Sequence, residues 1–122
     1  MKKVLIGEDS SVIQNLARKI LEFQNFEIEG AKNGEEVLKL LGKQVFDAVL
    51  LDINMPIMDG MDCIKAIRAH ADVSIAKIPV VAITGNARNY TKVDFDEAGF
   101  DEVLTKPLNF DQLVSTVKKL VE

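Results

Sequence analysis

Four short polar signals stand directly behind apolar runs in this 122-residue chain: Glu8-Asp9 after Val4–Ile6, Asp52 after Ala48–Leu51, Thr84 after Val80–Ile83, and Lys106 after Glu102–Thr105. Brought together, they would be the parts of a phosphoryl-transfer site. A carboxylate oxygen attacks, acids hold a cation, and a lysine and a hydroxyl meet the equatorial phosphoryl oxygens. Three carboxylates in one crevice repel strongly unless a cation neutralises them. Hard oxygen ligands with room for water suit magnesium, with manganese as the substitute, better than zinc or copper. Lys106 has the long stem and point charge that suit phosphate. Taken singly, each residue has a plainer reading: Glu8-Asp9 a helix cap, Asp52 a turn residue, Lys106 a surface cation, Thr84 strand-end packing. Only their convergence would carry the chemistry.

Convergence depends on the elements that hold them. Short β-branched or leucine-rich runs at Val4–Ile6, Glu27–Ala31, Ala48–Leu51, Val80–Ile83 and Glu102–Thr105 alternate with stretches of helical spacing. Ile13, Leu16, Ala17, Ile20 and Leu21 form an apolar stripe that Asp9, Ser10 or Ser11 can cap. Asn33 can cap a second helix carrying Val37, Leu38 and Leu41, with Glu35 and Glu36 at its positive end. A third runs from Met61 through Ile64 and Ile67, and the last carries Phe110, Leu113, Val114, Val117, Leu120 and Val121. The fourth, between Asn86 and Ala98, is the weakest, since Asn89, Thr91, Asp94 and Asp96 are poor helix formers; Gly99 ends it.

Five β-α repeats predict an α/β fold, a parallel sheet covered by helices on both faces. Right-handed crossovers leave few topologies. A doubly wound sheet in the order 2-1-3-4-5 is the natural one, adopted here from known sheets of this kind. Ligands of such sheets lie beyond the carboxyl ends of the strands, at the switch in strand order. The first and third strands then run about 4.8 Å apart, which brings Asp9 and Asp52 together with Glu8 alongside.

Composition limits what else the chain could be. With 48% hydrophobic and 28% charged residues, it has an ordinary globular balance, and its length predicts one domain spanning residues 1–122. The net charge of −4 argues against direct nucleic-acid binding, which needs clustered Lys and Arg. No apolar run approaches the length of a membrane helix, and Gly7-Glu8-Asp9 follows the amino terminus too soon for a signal peptide. The single cysteine, Cys63, excludes an intrachain disulfide and fits a reducing cytoplasm. The expectation is a cytoplasmic protein with no membrane contact.

Three segments resemble the receiver domain of two-component response regulators, over essentially the whole chain. They are Val49-Leu50-Leu51-Asp52-Ile53-Asn54-Met55-Pro56-Ile57-Met58-Asp59-Gly60, Val81-Ala82-Ile83-Thr84-Gly85-Asn86-Ala87 and Thr105-Lys106-Pro107-Leu108. The resemblance implies a flavodoxin-like (βα)5 fold and Asp52 as phosphoacceptor, charged by a sensor histidine kinase or a histidine phosphotransfer protein. It implies magnesium held by Asp9, Asp52 and the Asn54 carbonyl, with Glu8 acting through water, and Thr84 and Lys106 on the phosphoryl oxygens. It implies a cis peptide at Lys106-Pro107, and a downstream partner on the face of the fourth helix, fifth strand and last helix. Gly85 leaves the loop after Thr84 free to move, while Asn54 and Asn86 occupy two variable positions near the path of water. Val103 departs from the family, which usually carries Tyr or Phe there as a rotamer switch; Tyr90 is the other aromatic candidate. His70 reads as surface polarity and Cys63 as packing.

Other readings fit less well. A haloacid-dehalogenase-type phosphatase wants an acid two residues after the nucleophile, where Asn54 stands, and a longer chain for its cap. A flavin carrier of the same sheet order needs a small, hydroxyl-rich loop where Glu8-Asp9 would repel the flavin phosphate. A receiver-like scaffold that is never phosphorylated usually lacks a key residue, and none is missing here. The expectation is a signalling receiver rather than an enzyme acting on an outside substrate: a stand-alone regulator, a phosphorelay intermediate or part of a hybrid kinase.

Overall fold

The computed structural model describes residues 1–85 and 90–122. The five apolar runs form strands β1 (Lys3–Gly7), β2 (Glu27–Ala31), β3 (Ala48–Asp52), β4 (Val80–Thr84) and β5 (Glu102–Thr105). They pair in parallel in the order β2-β1-β3-β4-β5. Alternate residues of each strand face opposite sides. Leu5, Val49, Leu51, Val80 and Ala82 join one core layer, and Val4, Ile6, Leu50, Val81 and Ile83 join the other. All five residues of β3 and of β4 are buried, as a sheet covered on both faces requires.

The helices are α1 (Ser11–Phe23), α2 (Gly34–Lys43), α3 (Gly60–Arg68), α4 (Val73–Ala76), α5 (Lys92–Ala98) and α6 (Phe110–Val121). Ser10, among the three candidates, caps α1 by accepting from the Ile13 amide, and Asn33 caps α2 by accepting from Glu36 at 2.9 Å. The one-turn α4, capped by Asp72, has no counterpart in the sequence reading. Its four residues are too few for periodicity to register.

The fourth predicted helix is α5, and it starts later than its spacing suggests. The described part begins at Lys92, while Asn86, Ala87 and Asn89 lie outside the described residues. Thr91 and Asp94, read as poor helix formers, make a reciprocal capping box instead. Gly99 ends the helix at φ +110°, the left-handed conformation that glycine adopts most readily.

The buried line of α1 is also shifted from the expected stripe. Gln14, Ala17 and Leu21 are buried, whereas Leu16 is 45% exposed. Gln14 earns its place by polar contact, donating through Nε2 to the Glu8 carbonyl at 3.1 Å and the Ala31 carbonyl at 2.9 Å. Gly30 makes room for it: a Cβ there would stand 2.4 Å from Gln14 Oε1.

Candidate functional site

The carboxyl ends of four strands, β1, β3, β4 and β5, deliver Glu8, Asp9, Asp52, Thr84 and Lys106 to the same edge of the sheet. β1 pairs with β3 so that Gly7 lies opposite Leu51, and the chain then turns into Glu8-Asp9. Asp52 is the last residue of β3, opposite Ile83, and Thr84 ends β4 opposite Thr105. Lys106 follows directly, its amide donating to the Thr84 carbonyl at 2.8 Å. The Lys106-Pro107 peptide is cis, as the resemblance implies.

Glu8 and Asp52 are each 1% exposed, whereas Asp9 is open to solvent. Ligand oxygens of the three lie within 4.8 Å of one another. Lys106 Nζ reaches across them, donating to Asp52 Oδ2 at 2.9 Å and standing 3.1 Å from Glu8 Oε1. The Asn54 amide donates to the other Asp52 oxygen, Oδ1, at 3.2 Å. The Ser10 amide donates to Glu8 Oε2 at 3.1 Å, leaving Oε1 a buried oxygen without a hydrogen bond of good geometry. Thr84 is buried beside this set at the end of β4.

Three carboxylates against one ammonium leave an excess of negative charge, and the titration behaviour follows. Burial, reinforced by the neighbouring Asp52, pushes the Glu8 carboxyl up to about 7. Burial alone would lower the Lys106 ammonium, but the Asp52 and Glu8 carboxylates outweigh it and hold the group above its usual value. A divalent cation fits this donor set: hard oxygens only, one buried Glu8 oxygen met by the Lys106 ion pair rather than by a hydrogen bond, and Asp9 at the solvent side where waters complete a shell.

Two residues outside the predicted set build the site. Gln14 fixes the Glu8 carbonyl, as described above. Gly60 lets the start of α3 lie against the backbone of Asp52: a Cβ there would be 2.5 Å from the Asp52 carbonyl oxygen and 2.7 Å from Ile53 Cα. The Gly60 amide donates to Ile53 at 2.8 Å. The sequence offers Gly60 only as the last residue of the Val49–Gly60 segment; its contact with Asp52 is a tertiary matter. His70 is occupied in the turn after α3, where Nδ1 accepts from the Asp72 amide at 3.0 Å. Cys63 packs between α3 and α2, its thiol pushed up to about 12 by burial and by Asp59.

Comparison with known proteins bears on this geometry. Residues 4–118 match the response regulator receiver domain family. The chain is 36% identical over 121 residues to hybrid signal transduction histidine kinase M of Dictyostelium discoideum, an alignment covering 97% of this chain but 5% of that protein. Among solved structures, a putative response regulator from Chloroflexus aurantiacus superposes with a TM-score of 0.90 at 28% identity, covering 98% of this chain and 97% of that one. The chemotaxis response regulator CheY4 of Vibrio cholerae superposes with a TM-score of 0.88 at 30% identity, covering 98% of each chain.

Proposed function

This chain belongs to the response regulator receiver domain family, and on that premise we propose that Asp52 accepts a phosphoryl group from a histidine kinase or histidine phosphotransfer protein. The observation that carries the reading is the pair of donors already on the buried Asp52 carboxylate, Lys106 on Oδ2 and the Asn54 amide on Oδ1. They fix a carboxylate at the end of β3 with its acids beside it, Glu8 and Asp9, and the Lys106 ammonium in contact.

An Asp52 oxygen attacks the phosphorus of a phosphohistidine. The P–O bond forms as the P–N bond breaks, and its electron pair leaves on the imidazole nitrogen, which later takes a proton from solvent. Lys106 and Thr84 turn their donors to the new phosphoryl oxygens. Water later attacks the same phosphorus, releasing inorganic phosphate and restoring the carboxylate. Asp9, Asp52, Glu8 and the Asn54 carbonyl would hold magnesium, which when bound neutralises the excess carboxylate charge so that an anionic donor can approach.

The receiver is a signalling domain, and its output is a shifted population of two conformations rather than a released product of its own. Residues 1–122 act as one receiver, in the cytoplasm, with a protein partner downstream. Among the described residues, no helix is long and apolar enough to cross a membrane. Intact-mass measurement after incubation with a small phosphodonor tests the site. One phosphate adduct is expected with magnesium, absent after chelation and in Asp52→Asn. An adduct that survives Asp52→Asn, or that maps to His70, would refute the assignment.

A further inference from the structure

One peptide joins the two acids that flank Asp52, the buried Glu8 and the solvent-facing Asp9. A peptide unit is planar, so a bond on the Glu8 carbonyl sets the plane from which Asp9 departs. Gln14, buried in the first turn of α1, makes that bond. Its Nε2 carries two hydrogens, and both are in use: one on the Glu8 carbonyl at 3.1 Å, the other on the Ala31 carbonyl at 2.9 Å. Two carbonyl partners admit only the amide nitrogen, which settles how the side chain is turned.

The rest of the turn closes on the same residue. The Glu8 amide donates to the Ala31 carbonyl at 2.9 Å, the Ser10 amide donates to Glu8 Oε2 at 3.1 Å, and the Gln14 backbone amide donates to the Ser10 carbonyl at 2.9 Å. Lys106 Nζ stands 3.1 Å from the remaining carboxylate oxygen, Oε1. Both backbone groups and both carboxylate oxygens of Glu8 are therefore held, and Gln14 ties the set to the end of β2.

Rigidity of this kind discriminates between cations. Magnesium demands near-ideal octahedral geometry at about 2.0–2.1 Å, whereas calcium accepts flexible shells at about 2.3–2.6 Å. Loosening the turn penalises the smaller ion more.

We propose that Gln14 is a positioning residue that makes the Glu8–Asp9–Asp52 site select magnesium over calcium, by clamping the peptide between the two acids. This rests on the cation reading of that cluster given above. Gly30 is part of the same device. It pairs with Ile6 across β1 and β2, and a Cβ there would stand 2.7 Å from Gln14 Cδ. The flexible end of the glutamine yields before the strand does, so Gly30→Ala displaces the amide while leaving Gln14 and every acid in the sequence.

Amide NMR of the whole chain, titrated with magnesium chloride and separately with calcium chloride at constant ionic strength, reads both dissociation constants at Glu8–Ser10 and Asp52–Asn54. Each variant is used at a temperature where circular dichroism shows it folded. Gln14→Met keeps an unbranched side chain of similar size and removes both donors. Its magnesium affinity should fall about tenfold, as when a group that orients metal ligands is lost, and its calcium affinity by less. Gly30→Ala should lower the magnesium-to-calcium preference in the same direction. Added to Gln14→Ala, Gly30→Ala should change neither constant further, because the new methyl group meets no amide. A magnesium-to-calcium ratio unchanged in Gln14→Met or in Gly30→Ala would overturn the proposal, even with a loss of stability, since that is what packing alone produces. Additive effects in the double variant would overturn it too. Absence of magnesium-dependent shifts at these amides in wild type would overturn the cation reading and the proposal with it.

Discussion

Replacing Glu8 with glutamine removes a buried carboxyl that the folded chain keeps protonated up to about pH 7, against an ordinary value of 4.5. The group is 1% exposed, so solvent screening takes little from the effect. In the unfolded chain Glu8 gives up its proton near its ordinary value; in the folded chain it holds on through the next two to three pH units. The folded state therefore binds more protons across that interval, and the stability Glu8 contributes is full below 4.5 and lost as pH rises through about 7. At about 1.4 kcal/mol per tenfold change in proton affinity, the loss amounts to about 3 kcal/mol. Glu8→Gln does not titrate, so in chelator its stability relative to wild type should improve by about 3 kcal/mol between pH 4 and pH 8. Urea unfolding at each pH measures this, and titrations common to both proteins cancel in the difference. Saturating magnesium should restore wild type more than the variant, because binding to the folded state alone stabilises it. Parallel stability–pH profiles for the two proteins in chelator would refute the reasoning.

Lys106→Ala should bind magnesium about as well as wild type or better, since it removes a cation from the carboxylates, yet show a reduced phosphorylation-induced spectral shift; a large loss of metal affinity would place the lysine wrongly. Gly60→Ala forces a Cβ against the Asp52 carbonyl, and overpacking of this kind costs about 1–3 kcal/mol. Urea midpoints should fall accordingly, and phosphorylation by a small donor should slow because Asp52 is displaced. Gln14→Ala removes the side-chain donor from the buried Glu8 carbonyl, while the Ala31 carbonyl keeps the Glu8 amide at 2.9 Å, and the expected loss is about 1–3 kcal/mol. Thermal unfolding within about 0.5 kcal/mol of wild type would show that water replaces the amide.

The strands, the caps of α1 and α2 and the convergence of the candidate site residues were legible in the sequence because their signals are local. Apolar runs mark β1, β3 and β4, Asn33 and Gly99 mark helix ends, and a parallel sheet carries whatever follows its strands to one edge. Glu8, Asp9, Asp52, Thr84 and Lys106 could be named without coordinates for that reason, given the strand order. Which acid is buried could not be read. Glu8 and Asp9 are neighbours of similar chemistry, and only the packing of α1 and Lys106 over the sheet puts one inside and the other in water. Gln14 lies on a helix whose apolar residues suggest a different buried line. It is drawn inward by two carbonyls and by the space at Gly30, sixteen positions away in the chain. Arg68 reads as an ordinary basic residue near a helix end, and its partners at Ala76, Ile78, Gly99 and Asp101 come together only when β4 and β5 pair. Local propensity acts between neighbours a few residues apart. The burial of a polar group is decided by partners far along the chain, and these exist only once the sheet has closed.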